Sequence, residues 1–222
     1  MTDEKIILNY RRLRHLKRCN NFPTILPEDV AQHSWFTAVL AMTIADQHNA
    51  WIDQHEFQKT ETKFYNRKVS VEEVLRKAIL HDTSECITGD IPYNVKHLNE
   101  EAHKAIETAV NQKMDEFYKD CSHILKDYQN WEATCKEGVS GYIVNIADML
   151  ELAIYCAEEV YAGNIYMASL CTKAVRLVMK YITNTAFYET APIITDILEN
   201  IQKMDESDYT RRDTIKATLN ID

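Results

Sequence analysis

The sequence predicts an all-α protein folded as one domain, and three observations carry that expectation. Glycine and proline together make only 8 of 222 residues, against roughly 12% in average usage. Apolar residues recur at helical spacing along most of the chain. Capping residues precede the apolar runs, and Gly163 follows the longest of them. A β-sandwich or barrel needs a turn every 8–12 residues, which this composition disfavours.

The elements follow in order. Residues 3–18 carry apolar side chains at 6, 7, 10, 13 and 16 and end in a basic run, Arg11 to Arg18, where cations suit a helix C-terminus. Residues 19–28 hold Pro23 and Pro27 and read as a loop. Asp29 caps a second helix over 30–48. The polar stretch 49–69 has no clear period and reads as a variable insertion, part loop and part helix. Ser70 and Glu73 form a capping-box signature ahead of a helix running to about residue 86. Gly89 and Pro92 break the chain over 87–98. Asn99 caps a helix over 99–120, and Ser122 caps a short one after it. A very apolar helix spans 140–162 and stops at Gly163. Asn164 caps the next, to about 183. The chain from about 183 to 222 reads as a C-terminal helical extension, with helices near 191–203 and 208–219.

Composition excludes several classes. The formal net charge is −9, so a nucleic-acid polymer is not an expected partner. A local basic pocket for a small phosphate ester is compatible with that charge. The four glycines, at 89, 138, 141 and 163, never cluster into a phosphate-binding loop. No run of 18 apolar residues predicts a membrane span, and the N-terminus lacks the apolar segment of a signal peptide. The six cysteines are scattered without a CxxC pair. They read as reduced thiols in a cytoplasmic protein.

Three places carry candidate chemistry. His33 sits early in the second helix, His81-Asp82 near the end of the third, and Asp148 within the long apolar helix. Asp148 is the only charged residue between Glu137 and Glu151, and an isolated buried carboxylate must be paired or neutralised. Taken singly, each has another reading: a hydrogen-bonded core histidine, a common dipeptide, a carboxylate paired with a lysine. Together they supply two imidazoles and two carboxylates from three helices, a donor set for one divalent ion such as Mn, Co, Zn, Fe or Ni. Glu85 lies four residues after His81, on the same face of a continuous helix. From there it would reach the ion's bound water and move its proton. Asp46, His48, Asp53 and His55 could suggest a second metal site but fall in polar sequence that reads as a solvated loop.

The string His81-Asp82-Thr83-Ser84-Glu85-Cys86-Ile87-Thr88-Gly89-Asp90-Ile91-Pro92-Tyr93-Asn94-Val95-Lys96, with His33 before it and Asp148 after it, resembles the HD-domain metal-dependent phosphohydrolases. Within them it is most similar to the bacterial 5′-deoxynucleotidase branch, over about residues 5–180. The resemblance implies a helical HD-domain bundle that hydrolyses the phosphate ester of a deoxynucleotide by attack of a metal-bound water on phosphorus. It implies His33, His81, Asp82 and Asp148 as metal ligands and Glu85 as general acid/base. Arg18 stands where the family holds the phosphate, Lys96 at a second basic contact, and Asp90 where a carboxylate meets the sugar hydroxyl. The chain departs from the family at Cys19, where a tryptophan usually follows the arginine; Phe22 or Trp35 could stack on the base instead. The resemblance also implies a homodimer or higher homo-oligomer, and no membrane partner. A related activity, cleavage of a dNTP (dATP above all) to deoxynucleoside and triphosphate, uses the same core. A third reading is a non-catalytic nucleotide sensor or interaction protein.

Overall fold

Local signals start each helix. The computed structural model describes residues 2–55, 67–92, 95, 98–183, 185 and 187–203. Helix α1 (Asp3–Tyr10) tightens into a 3₁₀ turn over Arg11–His15. Helix α2 (Val30–Gln54) opens on a reciprocal cap: the Asp29 carboxylate accepts the Gln32 N–H at 2.9 Å, and the Gln32 side chain accepts the Asp29 N–H at 3.0 Å. Ser70 caps α3 (Val71–Leu80). The short α4 (Glu85–Thr88) ends at Gly89, whose φ of 73° no ordinary side chain adopts easily. Asn99 caps α5 (Glu100–Tyr118). Then come α6 (His123–Ala133), α7 (Gly138–Tyr161), a 3₁₀ turn at Ile165–Met167, α8 (Ala168–Thr183), α9 (Phe187–Thr190) and α10 (193–203). Among the described residues there is no strand, only an isolated bridge between Lys17 and Asp29.

Helix α7 is the centre of the bundle. Its apolar side chains (Ile143, Val144, Ile146, Leu150) are fully buried against α2, α3 and α8. By length and composition it could cross a membrane, but two thirds of its most apolar stretch is buried inside the protein, as in a core helix. A second apolar cluster joins α1, α4, α5 and α6 through Ile6, Cys86, Phe117, Tyr118 and Leu125. A third, smaller one gathers Tyr155, Cys156 and Met167 with Cys19 and Phe22. All six cysteines are free thiols.

Several expectations change. The first helix stops at Tyr10 rather than running to 18. Helix α2 continues to Gln54, six residues past the expected end and into the stretch read as insertion; residues 56–66 lie outside the described residues. His48 is therefore not in a solvated loop. It is fully buried, bonded to Thr190 Oγ1 at 3.0 Å and to the Arg67 carbonyl at 3.2 Å, and burial lowers its pKa. Only half of the expected capping box at Ser70 forms, because the Glu73 carboxylate turns to Ser140 and Lys77. The third helix ends at Leu80, since His81–Ser84 form a turn in which the Thr83 hydroxyl bonds back to the Leu80 carbonyl at 2.8 Å. Neither Ser122 nor Asn164 caps its helix with its side chain. The C-terminal segment is not an appendage: Phe187, Ala191 and Ile194 are fully buried in the main core. The helix expected at 208–219 lies outside the described residues.

Candidate metal centre

Three of the four candidate ligands, His33, His81 and Asp82, form one group although they come from separate stretches of chain, and Asp148 joins it through His33. His33 Nε2 lies 3.3 Å from Asp148 Oδ1, 3.5 Å from Asp82 Oδ2 and 3.3 Å from His81 Nε2. His81 Nε2 is 3.1 Å from Asp82 Oδ2. The turn after α3 makes this possible. It carries both His81 and Asp82, whose side chains meet at 3.1 Å.

The far nitrogen of each imidazole is committed. His81 Nδ1 donates to the Ala78 carbonyl at 2.7 Å, and His33 Nδ1 donates to the carboxylate of Glu151. Both Nε2 atoms therefore face each other, His81 Nε2 against Asp82 and His33 Nε2 against Asp82 and Asp148. Such a group of acceptors calls for a cation at its centre, and the carboxylate–histidine pair at Glu151 is the usual outer support of a metal-binding imidazole. The residues fit a divalent ion.

The electrostatics say the same. Burial and Arg18 push His33 down, but Glu151 and Asp148 more than offset them and raise its pKa to about 10. Asp82 and Asp148 are held well below the usual carboxylate range: burial opposes this, and the histidines outweigh it. Glu85 moves the other way. Burial first, then Asp82 and Asp90, raise it to about 9. Its Oε2 is buried and has no hydrogen-bond partner among the described residues. The expected helical face shared by His81 and Glu85 does not exist, because a turn separates them. Glu85 instead opens α4, its N–H bonded to the Asp82 carbonyl at 3.1 Å.

Arg18 lies beside this cluster, NH1 3.9 Å from Asp82 Oδ2. Asp82, Asp148, Glu151 and Glu85 keep its guanidinium charged against the cost of burial. The loop that carries it is pinned to α7. Glu159, buried, accepts the N–H groups of Ile25 (2.9 Å) and Leu26 (2.5 Å), and Asn164 ties the Pro23 carbonyl at 2.7 Å to the Glu159 carboxylate. Cys19 follows Arg18 with a φ of 50° and tucks into the third apolar cluster with Phe22. Asp90, just beyond Gly89, is near enough to raise both Glu85 and Cys19, and its carbonyl accepts from Asn20 at 3.4 Å.

Trp35 is not brought to the cluster. It stands two positions after His33, about 200° around α2, and is 65% exposed. With Phe36, Glu28 and Tyr155 it lines a cleft of about 570 Å³ that reaches Glu151 from the opposite side of the His33 ring. Lys96 lies outside the described residues. Sequence reasoning missed two groups. Glu151 had a signal, being a second acid one turn beyond Asp148 on the same apolar helix. Lys136, whose Nζ is 4.0 Å from Asp148 Oδ2, had none.

Comparison with known proteins places the chain in a family. The chain is 30% identical over 165 residues to a 5′-deoxynucleotidase of Enterobacter sp. strain 638, covering 70% of this chain and 74% of that protein. It is 27% identical over 172 residues to one from Vibrio parahaemolyticus, 74% of this chain and 79% of that protein. Among solved structures it resembles an HD-domain phosphohydrolase from Listeria innocua, with a TM-score of 0.71 at 18% identity, over 95% of this chain and all of that one. It also resembles the cyanophage S-2L HD phosphohydrolase DatZ, described as bound to dA and one catalytic Zn²⁺, with a TM-score of 0.56 at 15% identity over 90% and 94% of the two chains. The model of the family described as 5′-deoxynucleotidase YfbR-like matches residues 6–201. That match spans α1 to α10 and takes in each of the four converging side chains, and by it the chain belongs to the YfbR-like 5′-deoxynucleotidases.

Proposed function

We propose that this protein is a divalent-metal-dependent 5′-deoxynucleotidase that hydrolyses a deoxynucleoside monophosphate to deoxynucleoside and phosphate. The observation that carries the reading is the meeting of His33 Nε2, His81 Nε2 and Asp82 Oδ2, with Asp148 Oδ1 against His33 Nε2 and both outer imidazole nitrogens already committed as donors. These four residues would hold the ion. Two imidazoles and two carboxylates suit Mn, Fe, Co, Ni or Zn. When bound, the ion lowers the pKa of water toward neutrality and polarises a phosphoryl oxygen.

The chain's own residues supply the rest. Arg18 offers a fixed positive charge to the phosphate's equatorial oxygens. Burial and its acidic neighbours raise Glu85 to about 9 in the metal-free protein, and its carboxyl is read as the group that takes the attacking water's proton and returns one to the leaving 5′ oxygen. Asp90 stands close to Glu85 and is read as the sugar-hydroxyl contact. Lys96 as a second phosphate contact rests on the family motif alone. Cys19 and Phe22, packed on the third apolar cluster next to Arg18, are read as the base-side residues, and Trp35 is the weaker base contact because of its place on α2. We read the whole chain as one HD-type domain, a homodimer in a reducing cytoplasm; the free thiols support the compartment, and gel filtration with light scattering tests the assembly.

One assay tests the activity. Purified protein with Mn²⁺ or Co²⁺ is given a panel of dNMPs and dNTPs, and the phosphate product is identified. Inorganic phosphate from dNMPs is expected. Tripolyphosphate from dATP with inert dNMPs would replace this reading by the triphosphohydrolase one. Turnover that survives chelation, or survives Glu85→Ala, would favour a different chemistry altogether.

A further inference from the structure

Lys136 stands in a turn that the fold clamps from several sides. The chain folds back so tightly into the first turn of α7 that a Cβ on Gly141 would meet the Lys136 backbone carbon at 2.3 Å. The next carbonyl, that of Glu137, accepts a hydrogen bond from the buried Lys77 ammonium at 2.8 Å. Four residues earlier, the Glu132 carboxylate accepts the Ser84 N–H at 3.1 Å, which ties this segment to the turn carrying His81 and Asp82. The buried Cys135 precedes it. A backbone held this firmly fixes where the Lys136 side chain starts.

The ammonium reaches the rim of the candidate metal centre. Its Nζ is 4.0 Å from Asp148 Oδ2, the oxygen of that carboxylate not turned to His33. That distance is too long for a hydrogen bond. No hydrogen bond to another described residue holds the ammonium, and the side chain is 56% exposed. Arg18 occupies the corresponding place at Asp82. Among the described residues, these are the two Lys or Arg side chains within 4.0 Å of a candidate ligand carboxylate.

Charge balance gives this pairing a purpose. One divalent ion cancels the charges of Asp82 and Asp148. A phosphate monoester brings about two further negative charges at neutral pH. Arg18 and Lys136 supply two positive charges, one at each ligand carboxylate.

We propose that Lys136 is a phosphate-binding residue, contacting a non-bridging oxygen of the substrate's phosphate from the Asp148 side while Arg18 contacts it from the Asp82 side. The inference rests on the nucleotidase reading above, and its test separates the two. Metal-loaded wild type, K136A, K136Q and K136R are compared for binding of inorganic phosphate by calorimetry, for metal content, for melting temperature and for dNMP hydrolysis. Expected are about 10- to 100-fold weaker phosphate binding in K136A and K136Q, a matching fall in kcat/KM, and partial recovery in K136R. Metal content and melting temperature should stay at wild-type values. Unchanged phosphate affinity in both neutral variants overturns the proposal, as does a loss confined to metal content, which would make Lys136 a partner of Asp148 only. Wild type that binds phosphate through Lys136 but hydrolyses no dNMP would leave the contact standing and remove the nucleotidase reading.

Discussion

Glu151 accepts a hydrogen bond from Nδ1 of His33, one helical turn beyond Asp148, whose Oδ1 faces Nε2 of the same ring. One helix thus supplies a carboxylate to each nitrogen of one imidazole. The first fixes which nitrogen carries the proton, and the second shares the side where a cation belongs.

Removing Glu151 should therefore loosen metal binding without removing a ligand. Glu151→Ala is expected to weaken affinity for Mn²⁺ or Co²⁺ by about 10- to 100-fold. A metal titration followed by calorimetry measures it. Wild-type affinity in the variant would show that the Glu151 contact does not orient His33.

Glu85 and Asp82 should separate chemistry from metal retention. Asp82→Ala is expected to lose metal and turnover together. Glu85→Gln keeps the shape of the side chain, and should retain metal while kcat falls about 100-fold or more. Metal analysis alongside initial rates distinguishes the two, and a Glu85→Gln enzyme of wild-type rate would remove Glu85 from the reaction.

The metal-free protein should lose stability as pH rises above neutrality. His33 is raised to about 10 from its ordinary 6.5, so the stability it gives is full below 6.5 and fades toward pH 10. Glu85 at about 9 and Glu28 at about 8 also bind protons in the folded state that the unfolded chain has released above about pH 4.5. In both cases the native state holds more protons, so stability falls with rising pH. The melting temperature of chelator-treated protein should drop between pH 6.5 and 9, and metal affinity should rise over the same interval as those protons leave. A melting temperature that climbs with pH would contradict the assignment.

Gly141 should not accept a methyl group. Its Cβ would lie 2.3 Å from a backbone carbon, which no rotamer change relieves. Gly141→Ala is expected to cost about 1–3 kcal/mol, read as a lower denaturant midpoint with an unchanged slope. A midpoint within error of wild type would mean that the 134–137 turn is free to move.

Much of this was legible before any coordinates. Asp29, Ser70 and Asn99 announced three helix starts, and His33, His81, Asp82 and Asp148 were recognisable from residue type and motif spacing. The misses have separate causes. Helical period continues through residues 81–84, but Thr83 satisfies a backbone carbonyl with its own hydroxyl and the helix gives way to a turn. His48 looked solvated because its sequence neighbours are polar, while the groups that bury it, Thr190 and Phe187, come from the far end of the chain. Lys136 acquires meaning only where the turn before α7 brings its ammonium to Asp148, and residue type alone does not encode that.

Helix α7 has one more consequence. Asp148, Glu151, Tyr155 and Glu159 recur at intervals of three and four and form a polar stripe along a mostly apolar helix. One end of the stripe serves the metal cluster, and the other holds the loop that delivers Arg18. Inserting one residue between Asp148 and Glu159 would rotate everything beyond it by about 100°. The rod would remain helical and apolar, yet the imidazole support or the arginine loop would face the wrong neighbours. The length of α7 between those two positions therefore cannot change by a single residue without uncoupling the candidate metal centre from the loop that carries Arg18.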